Sequence, residues 1–106
     1  MRKKGKKSVS KVWYDECTAL PKARGNGQLI RRVNVDANNV VTRYSLAYIN
    51  YNICRVDNGR VLGYDNAHGH HHKHSMGEIE PVKFISFEQI EEQFKREFEV
   101  LYAKTH

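Results

Sequence analysis

The most regular pattern in the chain lies at its C-terminal end, where Phe87, Ile90, Phe94, Phe98 and Leu101 recur at spacings of three and four. That period places them on one face of a helix, predicted here over Phe87 to Tyr102. Ser86 stands where an N-cap belongs, and Gln89 three residues later completes a capping-box pattern. Glu91 with Lys95 and Glu92 with Arg96 fall at i, i+4 on the polar side. The stripe reads as core packing against a sheet.

Upstream the period changes from that of a helix to that of a strand. Leu29, Arg31, Val33 and Val35 alternate with their neighbours as in a half-buried strand, after a turn or loop at Gly25-Asn26-Gly27. Ala37-Asn38-Asn39 can close a hairpin into a second strand, Val40 to Cys54, rich in β-branched and aromatic residues and free of Pro and Gly. Alternation puts Tyr44, Leu46 and Tyr48 on one face of it and Ala47, Ile49, Tyr51 and Ile53 on the other. Asp57-Asn58-Gly59 supplies a tight turn back through Arg60 to Tyr64. A further short strand is expected at Val82 to Ile85, after a histidine-rich loop at one end of the sheet. The fold class is therefore α+β: a small antiparallel sheet of three to five strands packed against a C-terminal α-helix.

A chain of 106 residues makes one domain. The expected division is a basic, disordered tail over residues 1–11 and a single α+β domain over residues 12–106. No segment has the roughly 20 apolar residues a spanning helix needs, and no apolar leader follows the first lysines, so a cytoplasmic protein without a membrane partner is expected. Cys17 and Cys54 are too few and too far apart for a disulfide framework or a paired-cysteine metal site.

The formal charge of +6 is unevenly spread. Residues 1–11 carry six basic side chains and no acid, among them Lys3, Lys4, Lys6 and Lys7. From Lys22 to Arg60 seven basic residues face two acids, and from Val61 onward eight acids outnumber five basic residues. A cationic face for an anionic partner and a more acidic face for a basic one are expected. The tail reads either as a solvated terminus or as a nucleic-acid arm.

Candidate chemistry concentrates between Asp65 and Gly77, where five of the six histidines fall within seven residues, His68 to His74. In an extended chain His68, His70, His72 and His74 share one side. Histidines titrate near neutral pH, so a pair can supply base and acid, with Lys73 balancing phosphate charge. RNA brings its own nucleophile, the 2′-hydroxyl, so such a pair suffices for cleavage without a metal. The same imidazoles could bind zinc or another transition metal, although their spacing is poor for a structural zinc site. They could equally be an exposed loop without a role.

Tyr44-Ser45-Leu46-Ala47-Tyr48-Ile49-Asn50, then Asp57 through Gly69, then His72-Lys73-His74, then Glu80-Pro81-Val82-Lys83-Phe84 together resemble the TumE family of toxin-antitoxin toxins. That family carries a Tyr-Asp-Asn turn, a His-Arg-His or His-Lys-His triplet and a Glu-Pro followed by an aromatic residue. The resemblance covers about two-thirds of the chain. It implies the toxin of a prokaryotic type II pair, encoded beside a helix-turn-helix antitoxin and acting on RNA as an endoribonuclease. On that basis His72 and His74 are the proton-transfer pair and Lys73 the cation between them; His70 and His71 fall where the pattern admits other residues. Asp65 would orient a histidine, His68 adds a further imidazole, Arg31 and Arg43 would steady phosphate, and Tyr48 or Tyr64 would stack on a base. No cofactor or metal is called for. Two alternatives stand beside this reading: a non-enzymatic partner of a DNA-binding antitoxin, and a metal-binding nuclease. Homo-oligomer formation is left open.

Overall fold

The computed structural model describes residues 11–22 and 26–104. The basic tail, with Lys3, Lys4, Lys6 and Lys7, lies outside the described residues apart from Lys11. Six strands run in sequence order across one antiparallel sheet: β1 (Lys11–Ala19), β2 (Gln28–Val35), β3 (Val41–Ile49), β4 (Arg60–Asp65), β5 (His72–Ser75) and β6 (Glu78–Pro81). Helix α1 (Phe87–Lys104) follows. The α+β class with a C-terminal helix is as expected, but the strands among the described residues number six rather than three to five.

Each added strand has a reason to be silent in a hydrophobic pattern. In β1 the apolar residues Val12, Trp13 and Tyr14 are consecutive, and a bulge between Val12 and Tyr14 breaks the alternation. An edge strand held by main-chain pairing on one side has little need of a half-buried face. The histidine run is not a loop at the sheet's end. Its last residues form β5, and Met76 and Gly77, both at positive φ, turn the chain into β6. Val82 to Ile85 is not a strand, for the chain leaves the sheet after one more bond, from Val82 N to His71 O at 2.9 Å.

The strand expected over Val40 to Cys54 stops at Ile49. Asn50 ends it: its side-chain oxygen accepts from Asn52 N at 2.9 Å, and its carbonyl from Ile53 N and Cys54 N. Such local side-chain bonds favour a turn over a continued ladder. The Asp57-Asn58-Gly59 turn forms with positive φ at all three residues, but it closes a longer loop from Asn50 rather than a two-residue hairpin.

The helix covers one face of the sheet. Ser86 Oγ accepts from Gln89 N at 3.1 Å, as predicted. The reciprocal half of the box is replaced, since the Gln89 amide donates to Gln93. The apolar stripe packs on Val33, Tyr44, Leu46, Tyr48, Leu62 and Tyr64, with Ile90 wholly buried; burying a side chain of that size stabilises by about 1.5–3 kcal/mol. Glu92 pairs with Arg96 as expected, at 3.9 Å. Glu91 pairs instead with Arg31 of β2, whose Nε lies 2.6 Å from Glu91 Oε2. The tie holds the helix to the sheet beside its apolar contacts.

Candidate active site on the histidine strand

The register of β3, β4 and β5 decides which side chains meet. Ser45 pairs with Asp65, Asp65 with His72 and Gly63 with His74, so these positions share one face, opposite the helix. On the helix side Tyr64 pairs with Lys73. Strand alternation therefore separates Lys73 from the two histidines it stands between.

His74 lies at the centre. It is 6 % exposed, with Nδ1 2.9 Å from Asp57 Oδ2 and Nε2 2.7 Å from Asp65 Oδ2. With a carboxylate on each side, the ring makes both bonds only as a double donor. Gly63 lies opposite it in the register. A Cβ there would come within 3.3 Å of Arg60 Cδ and Leu46 O and 3.6 Å of His74 Cβ. Arg60 completes the cluster, with Nη2 2.7 Å from Asp57 Oδ1 and Nη1 3.8 Å from Asp65 Oδ2. Burial works to raise the Asp57 carboxyl, but the hydrogen bonds and charges of Arg60 and His74 outweigh it and hold Asp57 below the ordinary carboxylate range.

His72 is differently placed. Its Nδ1 is 3.8 Å from Asp65 Oδ1, the oxygen that also accepts from Ala67 N at 3.0 Å. A cleft of about 340 Å³ opens here, lined by Arg60, Asp65, His68, His72 and His74. His68 sits at its rim in a single helical turn, with φ 63°. Its backbone is left-handed, so the expected extended run of His68, His70, His72 and His74 breaks at His68; His70 is extended and its ring lies 6.0 Å from that of His72. Asp65 contacts both His72 and His74.

Neither His70 nor His71 is among the cleft's lining residues. His71 turns to the helix side, where its ring stacks on Phe84 at 4.0 Å and Nδ1 is 2.9 Å from the Tyr44 hydroxyl. Burial, then the neighbouring charge of His72, holds His71 below 6.5. Burial and the charge of Asp65 push the Tyr44 phenol up to about 12. His70 is exposed, its ring edge-on to His72 at 6.0 Å. Among the described residues no three His, Cys, Asp or Glu side chains are arranged to hold a metal ion.

Several expected site residues belong to the core. Tyr64 is 1 % exposed and donates to Glu97 Oε1 at 2.6 Å; Tyr48 is 0 % exposed and packs against Phe98 and Tyr102. Neither ring can receive a base in this arrangement. Lys73 pairs with Glu97 at 3.2 Å on the helix side, out of reach of the cleft. Arg31 lies on the same side, over the Tyr14 ring and bonded to Glu91. Arg43 is exposed and shares the histidine face with Ser45, in a recess with Arg32 and Asn34. Asp57 and Arg60 belong to the site although they read in sequence only as turn and strand residues; their i, i+3 spacing across Asn-Gly was the available signal.

Compared with family models, curated proteins and solved structures, the chain has no match in any of the three. No helix among the described residues is long and apolar enough to cross a membrane.

Proposed function

We propose that the protein is an endoribonuclease, the toxin of a type II toxin-antitoxin pair, and that it cleaves RNA without a metal in the cleft between Arg60, His68 and His72. The observation that carries this is the placement of His72 in an open cleft with Asp65 behind it. In neutral form His72 accepts the proton of the 2′-hydroxyl. The freed oxygen attacks the adjacent phosphorus, and a second imidazole, His68 at the rim, protonates the departing 5′-oxygen. Arg60 presents guanidinium charge to the phosphate while tied to Asp57. Asp65 is a positioning residue, and His74 anchors it from within the sheet. The products are a 2′,3′-cyclic phosphate and a 5′-hydroxyl.

The toxin assignment, with RNA as substrate and a helix-turn-helix antitoxin as partner, draws its support from the resemblance to TumE. Incubation of the purified full chain with total RNA, with and without EDTA, tests the activity. Cleavage that persists in EDTA and leaves 2′,3′-cyclic ends supports it. Cleavage that vanishes with EDTA and returns with zinc or magnesium transfers the site to a metal mechanism.

One observation favours a non-enzymatic reading. Asp57, Arg60, Asp65 and His74 pair with one another without any ligand, only Arg60 Nε among their buried polar atoms lacking a partner, as in a largely self-contained structural cluster. On that reading the protein acts by binding its antitoxin, RNA stays intact, and His72→Ala changes nothing.

A further inference from the structure

The aromatic residues expected to stack on a base are buried, yet two others are open to solvent at the opposite side of β5. Trp13 of β1 is 47 % exposed and Phe84, just before α1, is 41 % exposed. Both line a notch of about 250 Å³ whose other walls include Val41, Phe87, Asn39 and Glu88. That volume falls below the roughly 300–1,000 Å³ of sites for drug-sized ligands, and suits one flat group. Phe84 is braced for stacking. His71 covers one of its faces at 4.0 Å and 12°, so a ring still this exposed offers solvent its other face.

The polar residues of the notch narrow the ligand. Glu88 is exposed in the first turn of α1 and has no ion-pair partner among the described residues. Its carboxylate is an acceptor with two oxygens. Of the four RNA bases, guanine alone presents two parallel donors on one edge, N1–H and N2–H, in the spacing a carboxylate accepts as a pair. Adenine and cytosine offer an amino group beside an acceptor, and uracil one imino group between two acceptors. Asn39 adds an amide able to donate to a carbonyl such as guanine O6.

We propose that this notch is a guanine-binding site, which seats one base of single-stranded RNA against Trp13 and Phe84 with its Watson–Crick edge on Glu88. The proposal rests on the RNA reading of the histidine cleft and adds sequence preference to it. His71 and His72 are consecutive, the one bracing Phe84 and the other lining the cleft on the opposite face of the sheet. The notch therefore reads a neighbouring nucleotide rather than the one attacked.

Trp13 is the only tryptophan in the chain, so its fluorescence reports directly on the notch. The full chain is titrated with GMP, IMP, AMP, CMP and UMP. GMP should quench saturably, with IMP, which lacks the 2-amino group, and AMP about tenfold or more weaker, the scale of one hydrogen bond to a charged group. Glu88→Gln should abolish the preference for GMP while leaving weak quenching by every nucleotide. Phe84→Ala, its fold checked by circular dichroism, should weaken them all about tenfold. No saturable change with any nucleotide, or equal quenching by all of them, overturns the proposal. RNA cleavage separates this from the reading beneath it. Selective GMP binding with RNA left intact rejects the nuclease and keeps the notch. Cleavage with an unaltered site pattern in both variants rejects the notch and keeps the nuclease.

Discussion

Nε2 of His74 lies 2.7 Å from Oδ2 of Asp65, across the join between β4 and β5. The same ring reaches Asp57 in the loop that follows β3. One side chain thus ties together two strands and a loop. Removing it would leave two carboxylates facing a cavity, Asp57 held by Arg60 and Asp65 by the more distant Arg60 and His72 and by Ala67 N.

His74→Ala is therefore expected to destabilise the fold by about 3–5 kcal/mol, the scale for deleting one member of a buried ion pair. Urea unfolding at neutral pH measures it. A loss below about 1 kcal/mol, within the range of an exposed pair, would mean that the cluster is solvated and does not anchor the strands.

How much of this was legible beforehand depended on whether a buried residue is apolar. The helix announced itself because Phe87, Ile90, Phe94 and Phe98 repeat at its period and Ser86 caps it. In β3 the alternation of Tyr44, Leu46 and Tyr48 marked the face that α1 covers, but periodicity alone does not say which face a helix will take. Both tyrosines expected to stack on a base, Tyr48 and Tyr64, are core for that reason. Strand β5 has no apolar alternation at all. Its buried residue is His74, solvated by carboxylates instead of by hydrocarbon, and both carboxylates come from distant positions. The histidines stand out in the sequence, whereas the pairing that divides them between two faces depends on the register with β4. Lys73 falls away from the site by the same alternation once its stretch is known to be a strand.

The second prediction concerns acid. Asp57 is held below its ordinary value of 3.8 in the folded state. A carboxyl with a depressed folded value contributes stability that is fully present above the unfolded value and is lost as pH falls through the folded one. The stability difference between the native chain and Asp57→Asn should be constant from neutral pH down to about pH 4 and shrink below it. Urea midpoints collected across that range check it. A difference that is the same at pH 7 and at pH 2.5 would show that the Asp57 charge contributes nothing to the fold.

The third concerns His71. Burial and the charge of His72 hold its folded value below 6.5, so the unfolded chain binds the proton more readily. Its contribution to stability is present above 6.5 and declines as pH falls toward the folded value. In an NMR titration His71 should be the ring that protonates late, and His72→Ala should move it back up. Titration of His71 at or above 6.5 in the native chain would contradict the packing against Phe84 and Tyr44.

The last prediction places the proton transfer. If RNA is cleaved in the cleft of Arg60, His68 and His72, then His72→Ala should lower the rate by roughly 10²-fold or more, the usual scale for a general acid or base. Its folding should be retained, because His72 lies at the cleft surface while His74 makes the buried bonds. Asp65→Asn should slow cleavage and displace the acidic limb of the pH profile, since the carboxylate stands behind the ring that acts as base. His68→Ala should remove the basic limb. Lys73→Met should leave rate and profile unchanged, because Lys73 projects to the helix side against Glu97. His70→Ala should matter little. The comparison of His72 with Lys73 is the decisive one: the two are neighbours in sequence and on opposite faces of a strand. Equal losses from both would mean that the substrate engages the helix side, and the cleft would have to be abandoned as the place of reaction.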